Sequence, residues 1–254
     1  MIDLSQLRKG RAGSPPRMVI YGPHGIGKST FANQARAVFI PTESGLDHID
    51  LVSGAFPKAE CVQDVYDAIG VLATQEHSYT AVALDTIDWF EKLIFTEVCN
   101  REGVASIEKV GGGWGKGYVE ALDEWYRLFE ALDYLREQRK MAVILLAHCR
   151  ITNYANPMGE PFDRYQLDLH ASKSISSAAK VMEWSDLVGF VNYRTITKKN
   201  DVDAKRVDGK SRGIGTGERI LYLEERPAFQ AKNRFSLQAE MPFSWDELSK
   251  HLNH

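Results

Sequence analysis

Short apolar runs alternate along the chain with stretches in which apolar residues recur every three or four positions. The short runs predict β-strands, and the longer period predicts helices that bury one face. Strands are predicted at residues 17–21, 38–40, 81–84, 141–147, 187–193, 219–223 and 229–235. Helices are predicted at residues 28–36, 62–72, 87–98 and 118–138, with a short closing helix after Ser244. This order predicts an α/β fold: a mostly parallel twisted sheet flanked by helices, with a C-terminal antiparallel extension.

Residues 17–254 are predicted to form a single domain after an N-terminal arm of residues 1–16. Within that domain, residues 194–219 carry eight Lys and Arg against four Asp and Glu, together with several glycines. This composition predicts a flexible basic hairpin or loop. It can bind phosphates, or it can be an ordinary solvated excursion between two strands.

Composition excludes several classes of protein. The net charge of -3 excludes a generally basic nucleic-acid binder, so any such contact must come from a local patch. The three cysteines, Cys61, Cys99 and Cys149, lack the spacing of a disulfide framework or a zinc site, which favours a reducing compartment. The longest apolar run is far shorter than a membrane span, and the N-terminus does not resemble a signal peptide. We therefore expect a cytoplasmic protein with no membrane partner.

The sequence "YGPHGIGKST" follows the first predicted strand and precedes the first predicted helix. Its spacing, G-x-x-x-x-G-K-[ST], is that of a P-loop, in which backbone N–H groups curl around the phosphates of a nucleotide. The lysine of such a loop reaches the β- and γ-phosphates, and the serine ligates Mg²⁺. The pattern predicts ATP as the ligand, Mg²⁺ as its ion, and a binding loop made of Gly22, Pro23, His24, Gly25, Ile26, Gly27, Lys28, Ser29 and Thr30.

A second acidic anchor follows the apolar run "AVAL". Asp85 stands at the carboxyl end of this predicted strand, where ligands bind in open α/β sheets, and is expected to hold Mg²⁺ together with Ser29. It can also cap the helix that follows. Many ATPases have a water-activating Glu directly after this Asp, but here the position is Thr86. The base must therefore come from elsewhere, and Glu43 and Asp88 are the two candidates.

These motifs, together with "VFIPTESGLDHI" and "AVILLAHCR", resemble RecA-like P-loop ATPases, and in particular the phage single-strand annealing recombinases. The resemblance implies a RecA-like P-loop NTPase fold. It favours Glu43 as the residue that activates water. It also implies that His148 senses the γ-phosphate in place of the Gln of RecA, although a His that caps a buried strand is the plainer alternative.

The resemblance extends to "AKNRF" near the C-terminus. RecA-like filaments place two cations, one residue apart, against the γ-phosphate of the neighbouring subunit. Lys232 and Arg234 have that spacing, and residues two apart in an extended strand share a face. Arg234 departs from the two lysines of bacterial RecA. The match implies hydrolysis at the interfaces of a homo-oligomer, either a ring or a filament.

Two segments are expected to bind DNA because they combine glycines, cations and aromatic rings, which single-strand binding uses. Both can equally be lids over the nucleotide. In the first segment, residues 108–118, the candidates are Lys109, Trp114, Lys116 and Tyr118. In the second segment, residues 150–174, which is expected to be a loop, the candidates are Arg150, Tyr154, Arg164 and Lys173.

Together, these features predict a DNA-stimulated ATPase that binds single-stranded DNA and supports annealing or strand exchange in phage-type homologous recombination. A single-strand binding protein is a candidate partner. Two other classes remain open: a P-loop kinase or phosphotransferase acting on a small molecule, and a nucleotide-gated loader or scaffold for a replication protein.

Overall fold

A computed structural model describes residues 3, 7, 13–198 and 212–252. Most of the expected N-terminal arm and residues 199–211 of the expected basic hairpin lie outside these residues. The described strands are β1 (Arg17–Gly22), β2 (Val38–Pro41), β3 (Ala81–Asp85), β4 (Ala142–Tyr154), β5 (Phe162–Leu167), β6 (Leu187–Lys198), β7 (Arg212–Tyr222), β8 (Lys232–Asn233) and β9 (Glu240–Pro242). The described helices are α1 (Lys28–Gln34), α2 (Val62–Thr74), α3 (Ile87–Glu102), α4 (Lys116–Gln138), α5 (Ser177–Trp184) and α6 (Trp245–Ser249), with a 3₁₀ segment at Ile107–Gly112.

The strands form one sheet in the order β2-β3-β4-β1-β6-β7-β9, with β5 paired to β4 and β8 paired to β6. The five strands from β2 to β6 in this order are parallel, and the pairings of β7, β8 and β9 are antiparallel. The predicted mostly parallel α/β sheet with an antiparallel extension is confirmed.

The register brings the polar ends of several strands together. Gly22 lies opposite His148 in the β1–β4 pair, and Pro41 lies opposite Asp85 in the β2–β3 pair. Since parallel strands end at the same edge of a sheet, the P-loop, Asp85 and His148 meet at one edge. This edge is the site to which most of the sequence motifs belong.

Both faces of the central strands are buried. On one face, Val143 and Leu145 of β4 belong to the core that includes the buried side chains of α2, α3 and α4. On the other face, Ile144 and Leu146 belong to the core that includes α1 and α6. Each such side chain contributes about 1.5–3 kcal/mol to stability when it leaves water. This two-sided burial explains why β4 begins as a continuous apolar run.

The expectation that residues 150–174 form a loop is wrong at residues 150–154 and 162–167, which form strands. β4 continues past the apolar run to Tyr154 and pairs with β5, so that Arg150 lies opposite Gln166 and Tyr154 lies opposite Phe162. We call this antiparallel hairpin, residues 149–167, the β4–β5 arm. Beyond Cys149 the side chains of β4 alternate between half-buried and exposed, which is the period of a strand with one solvated face.

Two other boundaries differ from the sequence prediction. The run at residues 229–235 forms only the two-residue strand β8, since Arg226 and Phe229 pair with each other across a tight turn. In the glycine segment, residues 108–118, α4 already begins at Lys116. Within the described part of the chain, no helix has both the length and the apolar character that crossing a bilayer requires.

Candidate active site

The P-loop connects β1 to α1 and is shaped by close packing. At Gly22, a Cβ atom would lie 2.3 Å from the carbonyl oxygen of Val191 on β6, so only glycine lets these strands approach. At Gly27, φ is 100°, a left-handed conformation that side chains disfavour. The loop therefore reaches the first turn of α1 with its backbone free to curl, and the N-terminus of that helix faces the sheet edge.

Lys28 and Ser29 begin α1 beside Asp85. Lys28 is 6% exposed, and its ammonium donates to the carbonyl oxygens of Gly22 and Pro23 at 3.2 and 3.1 Å. Burial lowers the pKa of Lys28, and the neighbouring carboxylates, Asp85 foremost, oppose this. The ammonium is thus held at the loop by weak acceptors that a phosphate can replace.

The Ser29 hydroxyl donates to Asp85 Oδ2 at 2.6 Å. Burial raises the pKa of Asp85, while the bond from Ser29 and the charge of Lys28 oppose this rise. A hydroxyl and one buried carboxylate, both hard oxygen donors next to a phosphate loop, fit Mg²⁺, which usually keeps several waters and binds through one or two carboxylates and substrate phosphates. Among the described residues, no group of three or more His, Cys, Asp or Glu forms a metal cluster.

Thr42 and Thr86 join the ends of β2 and β3. The Thr42 hydroxyl donates to the Thr86 carbonyl oxygen at 2.6 Å and accepts from the Thr86 N–H at 2.8 Å. The Thr42 N–H also donates to the Asp85 carbonyl oxygen at 2.8 Å. These buried bonds fix the backbone directly before Glu43, and they explain how a residue so distant in sequence comes to line the same cavity as Asp85.

Glu43 and His148 face each other in this cavity. Glu43 Oε1 lies 3.7 Å from His148 Nε2. Burial raises the pKa of Glu43, although the adjacent His148 lowers it. The Glu43 carboxyl is partly exposed, at 23% of its side chain, and so can accept a proton from a water in the cavity.

Both carboxylate oxygens of Asp88, the other candidate base, contact His148. Its Oδ1 accepts from the backbone N–H of His148 and its Oδ2 lies 2.9 Å from the ring Nδ1. Burial opposes ionisation of Asp88, but its bonds with His148 outweigh burial and bring its pKa below the ordinary value. Asp88 is therefore ionised, so Nδ1 donates to it. Both oxygens of Asp88 thus contact His148 and orient its ring, and Glu43 as the base stays a prediction.

His24 adds a contact that the sequence did not suggest. Its ring, in the P-loop, stacks on the ring of His148 with centroids 3.8 Å apart and planes 23° apart. Burial, together with the nearby His148 and Lys28, lowers the pKa of His24. The stack links the P-loop directly to the proposed γ-phosphate sensor.

The cavity between these groups has a volume of about 290 Å³. It is lined by the second half of the P-loop, by Glu43, Asp85 and His148, and by the loop after β2. Two larger grooves, of about 590 and 700 Å³, contain none of the motif side chains. The chemistry of the lining, not the volume, therefore identifies the active site.

Lys232 and Arg234 lie at the opposite end of the sheet from their own P-loop. β8 pairs with Leu187 and Val188 at the start of β6, whereas the P-loop follows the end of the parallel strand β1. The Lys232 ammonium donates to the carbonyl oxygens of Met182 and Glu183 at 2.7 and 2.9 Å, and Arg234 pairs with Asp186 at 3.2 Å. Neither cation can act on the nucleotide of its own chain, and a role in a neighbouring subunit stays a prediction.

The glycine segment presents Trp114 to solvent. This side chain is 98% exposed, and its φ is 59°, which is uncommon outside glycine. Lys109 and Lys116 are exposed on either side, and the Lys116 ammonium donates to the Gly111 carbonyl oxygen at 2.9 Å. Tyr118 instead turns inward and stacks on His170, with centroids 3.7 Å apart and planes 8° apart.

The β4–β5 arm carries three of the other DNA-binding candidates. Arg150 is half-exposed and lies 3.9 Å from Asp168. Arg164 is buried: its guanidinium binds Glu225 and the carbonyl oxygens of Arg226 and Phe229, and it lies 5.2 Å from the centre of the Tyr154 ring. It therefore stabilises the arm and does not offer a free cation.

Lys173 lies in the segment between β5 and α5 and is exposed. Glu91 of α3 fixes this segment from beneath. The buried Glu91 carboxylate accepts from the His170 backbone N–H at 2.7 Å and from the Ser177 hydroxyl. Burial raises the pKa of Glu91 to about 7, against the effect of these bonds. Glu91 stands one turn after Asp88, so one helix contacts both His148 and the segment that contains Lys173.

A family model described as an AAA domain (AAA_24) matches residues 14–235. The match spans most of the chain, and the chain therefore belongs to this AAA domain family. No curated protein gives a significant sequence match. Among solved structures, the chain is similar to the crystal structure of the RadB recombinase at 14% identity and a TM-score of 0.47, over 89% of this chain and 85% of that one.

Family membership and the sheet confirm the predicted P-loop ATPase core: β1 carries the P-loop, and β3, two strands away, carries Asp85. The chain is thus an NTPase by family. The sequence placed His24 in the predicted binding loop and offered Asp88 as a candidate base, but it did not indicate that either residue contacts His148. Glu91 gave no distinct signal in the sequence.

Proposed function

We propose that this chain is an ATPase that binds single-stranded DNA and supports annealing or strand exchange in phage-type homologous recombination. The observation that carries the proposal is the arrangement around His148. Its ring faces Glu43 in the nucleotide cavity, while its own strand continues into the exposed β4–β5 arm. A nucleotide site and an exposed arm therefore share one strand.

Within the cavity, each side chain has a distinct task. The backbone N–H groups at the start of α1 and the Lys28 ammonium bind the phosphates. On binding, the ammonium exchanges its hydrogen bonds to the Gly22 and Pro23 carbonyl oxygens for bonds to phosphate oxygens. Ser29 and Asp85 hold Mg²⁺, which supplies neutralisation of the charge that develops on the phosphate oxygens. Glu43 orients a water and accepts its proton. His148, held by Asp88, contacts the γ-phosphate or that water with its Nε2 side.

The nucleic-acid surface joins the glycine segment to the arm. Trp114 supports this proposal because an exposed ring in an uncommon backbone conformation is suited to stacking on a base. Lys109, Lys116, Arg150 and Lys173 supply exposed or half-exposed cations for phosphates. Tyr118 and Arg164 support the surface from within through His170 and Glu225.

Coupling between the two sites runs through α3. Asp88 holds His148, and Glu91, one turn further along, holds His170, which in turn stacks on Tyr118 of the glycine segment. Loss of the γ-phosphate changes the contacts of His148 and is transmitted along this set of bonds. We also propose that the chain acts as a homo-oligomer in which Lys232 and Arg234 complete the site of a neighbour.

The test is the rate of ATP hydrolysis with and without a single-stranded oligonucleotide, measured together with particle size by light scattering. We expect stimulation by the oligonucleotide and larger particles in its presence with ATP. Stimulation by a small-molecule acceptor with phosphate transfer to it would identify a phosphotransferase instead. Slow hydrolysis that responds only to an added single-strand binding protein or other replication protein would identify a loader or scaffold.

A further inference from the structure

Arg219 of β7 reaches the P-loop from the antiparallel side of the sheet. Its NH1 donates to the carbonyl oxygen of Ile26 at 3.2 Å, although the two residues are 193 positions apart. At Gly27, a Cβ atom would lie only 2.3 Å from the same NH1. The absence of a side chain at Gly27 therefore makes room for this guanidinium as well as allowing the left-handed backbone.

The backbone of Arg219 is held in the sheet on both sides. Arg219 pairs with Tyr193 of β6, and its carbonyl oxygen accepts from the Phe243 N–H at 2.9 Å. Over the described ranges, no carboxylate lies within ion-pair distance of its guanidinium. The Arg219 guanidinium thus lies beside the P-loop and has no ion-pair partner among the described residues. This position indicates a role in the P-loop itself.

The geometry of the peptide bond gives that role. Ile26 C=O and Gly27 N–H belong to one trans peptide unit, so the two groups point in opposite directions. A guanidinium that holds the carbonyl on the β7 side turns the N–H of Gly27 the other way, towards the cavity. No hydrogen bond between described residues uses that N–H, which leaves it available for a phosphate oxygen.

We propose that Arg219 is a positioning residue of the nucleotide site: it holds the Ile26–Gly27 peptide so that the Gly27 N–H faces the bound phosphates. The inference rests on the proposed binding of nucleotide by the P-loop. Arg219 belongs to the basic stretch 194–219, for which the sequence allowed two interpretations, phosphate binding or a solvated excursion between strands. The inference gives one residue of that stretch a role at the nucleotide site. Arg219 acts on the loop and not on the γ-phosphate, so its effect is the same for a diphosphate and a triphosphate.

The test is isothermal titration of MgADP and of a magnesium-bound, non-hydrolysable ATP analogue into wild type and Arg219→Ala. We expect both ligands to bind about tenfold more weakly to the variant, the size expected for one hydrogen bond to a charged group. The loss is expected to persist in about 1 M sodium chloride, where the Debye length is only about 3 Å. Arg101→Ala, which removes an exposed arginine paired with Glu120, is the matched control and is expected to bind both ligands as wild type does.

A second measurement does not depend on nucleotide. In the free protein, the ¹H–¹⁵N resonance of Gly27 is expected to shift in Arg219→Ala and to stay in place in Arg101→Ala. Equal affinities of wild type and Arg219→Ala, or an unmoved Gly27 resonance, would overturn the inference alone. So would a loss confined to the ATP analogue, or one that disappears in high salt. Failure of the wild-type chain to bind either nucleotide would overturn both the inference and the proposed function.

Discussion

Asp88 binds His148 twice, through the backbone N–H and through the ring Nδ1, each at 2.9 Å. The pair joins the first turn of α3 to the strand β4, and both residues are buried. Because Nδ1 donates to Asp88, the orientation of the ring is fixed, and Nε2 faces Glu43 across the cavity. The proposed sensor is thus preorganised by a carboxylate that does not itself contact the reacting groups.

Replacing Asp88 by Asn tests this preorganisation. The amide can donate to Nδ1 and so reverse the tautomer of His148, and we expect ATP hydrolysis to fall roughly 10- to 100-fold, as for other groups that orient a functional histidine. Nucleotide affinity should change little. Steady-state ATPase assays and nucleotide titration measure the two effects, with the exposed Asp123→Asn as control. An unchanged hydrolysis rate in Asp88→Asn contradicts the role of the pair.

The Glu43→Gln variant tests the proposed base. We expect nucleotide binding to persist while hydrolysis falls by about 10²- to 10⁴-fold, because the amide cannot accept the proton of the water. Burial raises the pKa of Glu43, and only the ionised carboxylate acts as a base. In wild type the rate should therefore decline with falling pH at values above the ordinary Glu pKa of about 4.3.

The pH–rate profile of Glu43→Gln should lack this decline. Glu60→Gln, a change at an exposed carboxylate paired with Lys58, is the control and should keep the wild-type profile. A Glu43→Gln variant that hydrolyses ATP as fast as wild type assigns the base elsewhere.

Trp114→Ala tests the nucleic-acid surface. Loss of one stacked base is expected to cost about 1–3 kcal/mol, which is roughly a 5- to 150-fold drop in affinity for a single-stranded oligonucleotide. Fluorescence anisotropy of a labelled oligonucleotide measures the affinity. Tyr134→Ala, at an exposed aromatic residue of α4, is the control. If both variants bind as tightly as wild type, the glycine segment does not contact the nucleic acid.

The buried Glu91 makes stability depend on pH. Its pKa of about 7 in the folded chain lies above its value of about 4.5 in an unfolded one, so the folded state binds more protons between these values. Its contribution to the free energy of unfolding is therefore greatest below about pH 4.5 and declines as pH rises through 7, by on the order of 3 kcal/mol.

Urea unfolding of wild type and Glu91→Gln at pH 5 and pH 8 checks this. The amide does not ionise, so the variant is expected to lose less stability than wild type between the two pH values. Parallel pH dependence in the two proteins would show that Glu91 keeps an ordinary pKa. Glu120→Gln, at a surface position of α4, is expected to follow wild type.

Subunit mixing tests the proposed role of Arg234 in a neighbouring site. Lys28→Ala and Arg234→Ala should each hydrolyse ATP poorly, but an equal mixture should recover about a quarter of the wild-type rate, because one interface in four then has both residues. Arg234 pairs with Asp186 at the surface, so its loss should leave the fold intact. No recovery in particles that light scattering shows to be mixed would exclude action between subunits.

Local pattern was enough to predict the framework of the site. The P-loop lies between an apolar run and a helix, and Asp85 directly follows another apolar run, so both could be placed from short stretches of sequence. By contrast, the Asp88–His148 and Arg219–Ile26 contacts join residues 60 and 193 positions apart. Such contacts depend on strand order, which the pattern of single segments does not specify.

The β4–β5 arm shows a different limit. The apolar run of β4 ends at Ala147, and the residues that follow are mostly polar, so the sequence indicated a loop. The strand continues because one side of the arm packs against its surroundings: Leu167 and Arg164 are buried, and Tyr165 stacks on Phe190. The ordered arm thus depends on tertiary contacts that a period of two in a short, polar segment indicates only weakly.

β4 runs from Ala142 through His148 to Tyr154 with no interruption in the strand. At about 3.3 Å per residue, its outer end lies roughly 20 Å from the imidazole. Because the strand is uninterrupted between His148 and Tyr154, a small rotation of β4 at the nucleotide edge is expected to move the whole β4–β5 arm as a rigid body. The displacement at the far end would then exceed the one that starts it.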